Sequence, residues 1–133
     1  MGAPIIIDTT GAMGLTGVAV RLVYDPADPC AVVVRVRDWT VRRWVEWVFA
    51  RDLLVEAVAC REDGAETGAL DVVITRINGR NLKIRKVARD QSPGRREVVL
   101  VTEAVARFVR ATCALVPLGQ ERIDFADVEA LLR

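Results

Sequence analysis

Over residues 14–24 the apolar side chains fall at every second position, at Val18, Val20, Leu22 and Tyr24. That is the period of a strand with one buried face. Asp25-Pro26-Ala27-Asp28-Pro29 then interrupts the pattern, because two prolines fix φ and two aspartates favour turns. Alternation resumes over residues 31–38, with Val32, Val34 and Val36 on one side and Val33, Arg35 and Arg37 on the other. A polar link (Asp38, Thr40, Arg42, Arg43) leads into a β-rich run from Trp44 to Phe49. The period changes at Ala50. Ala50, Leu53, Leu54, Ala57 and Val58 follow helical spacing, which predicts a short amphipathic helix with Arg51, Asp52 and Glu56 on its polar side. A loop around Glu62-Asp63-Gly64 and Gly68 ends it.

Residues 70–77 read as a further strand. Asn78-Gly79 predicts a type I′ hairpin turn, whose central positions need positive φ. Residues 81–87 return antiparallel, Ser92-Pro93-Gly94 marks another turn, and residues 98–101 form a last buried strand. Thr102 is placed to cap a helix from 103 to about 116. Its apolar stripe is Val105, Phe108, Val109, Cys113 and Val116, with Glu103, Arg107 and Arg110 outward. Pro117 and Gly119 stop it, and Asp124 begins a final short helix carrying Phe125, Val128, Leu131 and Leu132. The expectation is one α+β domain over residues 1–133: an antiparallel, barrel-like β-sheet with one inserted helix and two C-terminal helices.

Composition narrows the chemistry. The 133 residues include no histidine, which removes Ser-His-Asp and Cys-His catalysis and His-ligated zinc. There is no phosphate-binding G-x-x-x-x-G-K-[ST] and no G-x-S-x-G elbow. Asp25 and Asp28 sit in a proline-rich turn, where aspartate is the default residue. With no activated nucleophile, the expectation is a non-enzyme without metal or cofactor. Cys30, Cys60 and Cys113 are widely spaced and odd in number, which suits small apolar residues of a reducing compartment. The longest apolar run is five residues, Cys30 to Val34, too short for a signal-peptide core or a membrane span. A cytoplasmic chain without membrane insertion is expected.

The formal net charge of +1 conceals an uneven distribution. Residues 76–96 carry eight basic side chains against Asp90, and residues 52–71 carry six acidic side chains against Arg61. The basic segment reads either as a binding patch or as an outward strand face that the acidic segment neutralises. Trp39, Trp44 and Trp47 fall within nine positions. Trp47 shares a strand face with Val45 and Phe49 and is expected in the core. Trp39 and Trp44 flank Arg42 and Arg43. Tryptophan beside arginine suits a protein interface, and also the stacking of single-stranded bases. The candidate partner-binding residues are therefore Trp39, Arg42, Arg43 and Trp44, with Arg80, Lys83 and Arg85 from the basic segment. A single-stranded nucleic-acid-binding domain is the alternative reading.

Ordered motifs add a resemblance. The segment from Tyr24 to Val32 (YDPADPCAV) resembles the Y-D-x-x-D-P-Y-A-V run of the SsgA-like sporulation and cell-division regulators of actinomycetes. The segment from Glu46 to Leu54 is similar to their W-x-F-A-R-D-L-L motif. Gly68 to Val72, Ser92-Pro93-Gly94, Phe108 to Thr112 and Leu115 to Glu121 resemble later family segments in the same order. Cys30 departs from the usual tyrosine, and Thr75-Arg76 from a common Trp-Pro pair. The resemblance implies a fold similar to the Whirly type, a trimer, and a role in positioning or promoting the septum machinery. It also implies partners among cell-division proteins, FtsZ or another SsgA-like protein, rather than nucleic acid. The matched residues are expected to build the fold, leaving partner contacts to the rest of the surface.

Overall fold

The computed structural model describes residues 2–39, 42–69, 71–86 and 97–121. Strands β1 (Ile5–Met13), β2 (Thr16–Tyr24), β3 (Ala31–Asp38) and β4 (Arg43–Ala50) form one meander. Helix α1 (Arg51–Ala59) leads to a second meander of β5 (Glu66–Ala69), β6 (Val72–Arg76), β7 (Asn81–Lys86) and β8 (Glu97–Val101), followed by α2 (Thr102–Leu115). The strands make one antiparallel sheet in the order β4-β3-β2-β1-β8-β7-β6-β5.

Seven strand spacings of about 4.8 Å would set β4 about 34 Å from β5 in a flat sheet. A nine-residue helix is only about 14 Å long, yet α1 touches β4, β5 and β6. The sheet therefore curls, with both helices packed inside the curl. Alternation drives this. Val18, Val20, Leu22 and Tyr24 of β2, Val32, Val34 and Val36 of β3, and Trp47 and Phe49 of β4 turn inward. Val72, Ile74, Leu82, Ile84, Val98 and Leu100 do the same in the second meander. They meet Leu53, Leu54 and Ala57 of α1 and Val105, Phe108 and Val109 of α2. Trp47 is in the core, as its spacing predicts.

The two meanders join where β1 meets β8, through the pairs Gly11↔Leu100 and Ala12↔Val99. A Cβ at Gly11 would lie 2.8 Å from the Val99 carbonyl oxygen and 2.9 Å from Leu100 Cδ2, so this crossing needs a residue without a side chain.

Several elements depart from expectation. β1 and β5 are additional strands, and Gly68 lies in β5 rather than in a loop. Gly14 occupies the β1–β2 turn at φ 62°, so β2 starts at Thr16. Of the strand expected over 70–77, Val72–Arg76 forms β6, and Leu70 lies outside the described residues. The β6–β7 hairpin closes without positive φ at Asn78 or Gly79; instead Asn78 Oδ1 accepts the N–H groups of Arg80 at 2.8 Å and Asn81 at 3.1 Å. Local side-chain bonding has replaced the mirror-image turn. Thr102 is the first helical residue rather than the cap. Its N–H donates to the Arg80 carbonyl at 2.8 Å, tying helix to hairpin. In β8 only Val98 and Leu100 are buried, and Val101 faces solvent. Cys113 packs against the core, Cys60 is half-buried, and Cys30 is exposed, contrary to the burial expected of it. Ser92-Pro93-Gly94 and the helix expected after Asp124 lie outside the described residues.

Candidate functional site

On β1–β4 the side chains that point away from the helices align in cross-strand rows. Ile6 lies opposite Val23, Val23 opposite Val33, and Val33 opposite Val48. Ile6 and Val48, at the ends of this aliphatic row, are 56% and 58% exposed. The next row is Asp8, Arg21, Arg35 and Glu46. Arg21 grips Asp8 through two hydrogen bonds, from Nε at 2.7 Å and Nη2 at 3.2 Å. That bond holds the Asp8 carboxyl below its ordinary range and raises the Arg21 guanidinium. Arg35 Nε lies 3.1 Å from Glu46 Oε1, an ion pair without hydrogen-bond alignment.

The expected Trp39, Arg42, Arg43 and Trp44 lie at the end of β3, in the turn that follows and at the start of β4, beyond that row. Arg37 is opposite Trp44, and Asp38 is opposite Arg43. Trp44 is 37% exposed, and its ring centre is 5.6 Å from the Arg35 guanidinium and 5.8 Å from that of Arg21. Arg37 stands 5.9 Å from the ring centre of Trp39, itself 58% exposed. These are cation–π distances. Arg42 adopts φ 54°, a left-handed conformation costing about 1–2 kcal/mol for a residue with a side chain. Trp39 and Trp44 thus meet Arg21, Arg35 and Arg37 at one end of the sheet, while Arg43, opposite Asp38, takes the inner-face parity of Trp47 and Phe49.

Arg80, Lys83 and Arg85 do not join them, because β8, β1, β2 and β3 lie between β7 and β4. Lys83 is 3.9 Å from Glu97, and its neighbours are similarly matched: Lys86 lies 4.0 Å from Asp71 and Arg76 2.9 Å from Asp63. Among the described residues, Arg76, Lys83 and Lys86 are answered by carboxylates, two of them (Asp63 and Asp71) from the acidic segment, whereas Arg80 and Arg85 have none within 4.0 Å. The seven candidate residues thus divide between the β3–β4 end of the sheet (Trp39, Arg42, Arg43 and Trp44) and the β6–β7 hairpin (Arg80, Lys83 and Arg85), where Lys83 alone of the three is ion-paired among the described residues.

Arg51 is the main residue that the spacing argument misplaces. Expected on the polar side of α1, it is 1% exposed. Its Nη1 donates to the carbonyls of Thr112 at 3.2 Å and Val116 at 2.6 Å, and its Nη2 to the Glu121 carboxylate. Its guanidinium also lies 5.2 Å from the ring centre of Tyr24, whose hydroxyl donates to the Pro29 carbonyl at 3.0 Å. Burial raises the Tyr24 hydroxyl's pKa, and the Arg51 hydrogen bond lowers that of Glu121. The signal was present: Arg51 is three residues before Leu54, on the same helix face. The outer row from Ile6 to Val48 has no signal in the alternation of the sequence, because it depends on the pairing of β1 with β2.

Tyr24, Arg51, Thr112 and Glu121 come from four separate motif segments and meet at one buried point, so those motifs build the fold. A family model described as Streptomyces sporulation and cell division protein, SsgA, matches residues 18–121. This chain belongs to that family of sporulation and cell-division proteins. Among individual relatives, it is 47% identical over 57 residues to sporulation-specific cell division protein SsgB of Saccharopolyspora erythraea, covering 43% of this chain and 36% of that one. It is 35% identical over 102 residues to SsgB of Streptomyces coelicolor, covering 77% and 70%. The chain thus spans about a third of the first relative's length. The crystal structure of an SsgA-like sporulation-specific cell division protein from Thermobifida fusca superposes with a TM-score of 0.73 at 26% identity, over 98% of this chain and 94% of that one. The Whirly-type likeness rests on the sequence resemblance alone. Among the described residues, no helix is long and apolar enough to cross a membrane, and no three His, Cys, Asp or Glu side chains group to hold a metal ion.

Proposed function

We propose that this chain is a non-enzymatic regulator of sporulation-specific cell division, acting through protein–protein contacts that position or promote the septum machinery. The observation that carries this reading is the pair of exposed tryptophans, Trp44 beside Arg21 and Arg35 and Trp39 beside Arg37, on the outer face of a sheet in a member of a cell-division family. Tryptophan and arginine are the residues over-represented at interface hot spots. The reading places the chain in the cytoplasm at the division septum, as a single domain assembling into a trimer. Its partners are FtsZ or another SsgA-like protein.

A fluorescent fusion in sporulating hyphae tests it. Regularly spaced signal coincident with septa, together with disturbed septation on deletion, is the expected result. Diffuse signal and normal septa after deletion would overturn it. The single-stranded nucleic-acid reading draws less support. The rings that would stack bases already face guanidinium groups, and Arg76, Lys83 and Lys86 of the basic segment lie beside carboxylates.

A further inference from the structure

Resting on that reading, we infer that the outer face of β1–β4 is a docking surface for an acidic protein segment bearing aliphatic side chains. Two features of this face define its partner. The first is the row Ile6, Val23, Val33 and Val48, which puts branched aliphatic side chains on the side of the sheet away from both helices. An antiparallel sheet with one packed face ordinarily shows polar residues on the other. An aliphatic row there calls for a covering partner. Its three strand spacings, about 14 Å, equal the reach of about four extended residues.

The second feature is charge. The same face holds three arginines (Arg21, Arg35 and Arg37), with Arg42 exposed in the adjoining turn, against the two carboxylates of Asp8 and Glu46. Arg37 and Arg42 have no carboxylate within ion-pair distance among the described residues. A guanidinium lying over a tryptophan keeps its N–H edge free for a carboxylate, which it can bind through two parallel hydrogen bonds. The aliphatic row and the unanswered arginines flank the Arg21–Arg35 row, so one segment can reach both.

The excess of positive charge selects between occupants. A second copy docking through a two-fold axis would lay this patch on itself and bring arginine against arginine. An acidic partner gains at each of those positions, and electrostatic complementarity of this kind also speeds association.

Fluorescence anisotropy on the full chain, with short labelled synthetic peptides, tests the inference. One peptide alternates glutamate and leucine, a second lysine and leucine, and a third glutamate and serine. The glutamate–leucine peptide binds, and the other two bind more weakly by about tenfold or more. Val48→Asn, Ile6→Asn and the double change Arg37→Glu with Arg42→Glu each weaken the first peptide by about tenfold. Unchanged thermal unfolding of these exposed-site variants shows that they are folded. Equal binding of the lysine peptide, indifference to the arginine changes, or displacement of the peptide by labelled oligothymidine would overturn the inference. So would sedimentation showing that the same variants dissociate an oligomer. Loss of peptide binding with septal localisation intact overturns only this inference. Loss of septal localisation with peptide binding intact overturns the cell-division reading instead.

Discussion

Arg51 and Glu121 are 70 residues apart in the chain and form an ion pair in which the side chains are 1% and 15% exposed. The pair closes the segment after α2 onto the start of α1. Gly119, at φ 83°, shapes the return, and its N–H donates to Glu121 Oε2 at 2.9 Å. One buried guanidinium thereby ties β2, α1, α2 and the segment that follows α2.

Arg51→Ala removes the donor shared by the Thr112 and Val116 carbonyls and by Glu121. Breaking a buried pair at one side costs about 3 kcal/mol or more. Urea unfolding should show that loss. Arg51→Lys should recover only part of it, because an ammonium cannot reproduce the planar fork.

Acid should weaken the same closure. The Arg51 hydrogen bond, followed by Glu121's own backbone N–H, holds the Glu121 carboxyl below its ordinary value of 4.5. The folded chain therefore binds this proton more weakly than the unfolded chain. Its contribution is full above 4.5 and disappears as pH falls through the lowered folded value. Asp8, lowered from 3.8 by Arg21, acts in the same direction. Urea midpoints measured from about pH 5 down to about pH 3 should fall less steeply for Glu121→Gln than for the parent chain.

These relationships mark where sequence periodicity succeeds and where it fails. β3 is legible over Ala31–Asp38 because every other residue is buried there. The core position of Trp47 follows from the same parity. β1 is not legible: three successive isoleucines, two threonines and a glycine do not alternate, and none of its side chains is fully buried. Its strand character comes from nine registered pairs with β2, a tertiary fact. β5, with Glu66, Thr67, Gly68 and Ala69, has little β propensity of its own and depends on pairing with β6. Sequence patterning puts Arg51 in solvent because charged side chains are seldom buried without partners, and its partners lie 61 to 70 residues away. Of the candidate site, the tryptophans and the arginines beside them were visible in sequence. The aliphatic row was not, because it exists only through the register of four strands.

Gly11 and Gly17 should respond oppositely to alanine. A Cβ at Gly11 meets the Val99 carbonyl oxygen at 2.8 Å, whereas one at Gly17 meets nothing within 4 Å. Gly11→Ala should cost about 1–3 kcal/mol through overpacking. Gly17→Ala should be neutral or stabilising by about 0.5 kcal/mol. Thermal unfolding of both variants separates a constrained β1–β8 crossing from a general need for glycine.

Trp44→Ala should scarcely disturb the fold. The ring is partly exposed and its cation–π contacts with Arg21 and Arg35 lie on the surface, where such contacts contribute about 0.5–1 kcal/mol. Urea unfolding should therefore show a far smaller change than for Arg51→Ala.

The central claim is that the chain serves septation through its exposed aromatic–arginine face, while the buried motif residues hold that face in shape. Its most direct test is complementation of a deletion strain, counting regular septa per sporulating hypha. The parent chain should restore regular septation, and a Trp39→Ala/Trp44→Ala variant, confirmed as folded and equally abundant, should fail to do so. Full restoration by that variant would contradict the account.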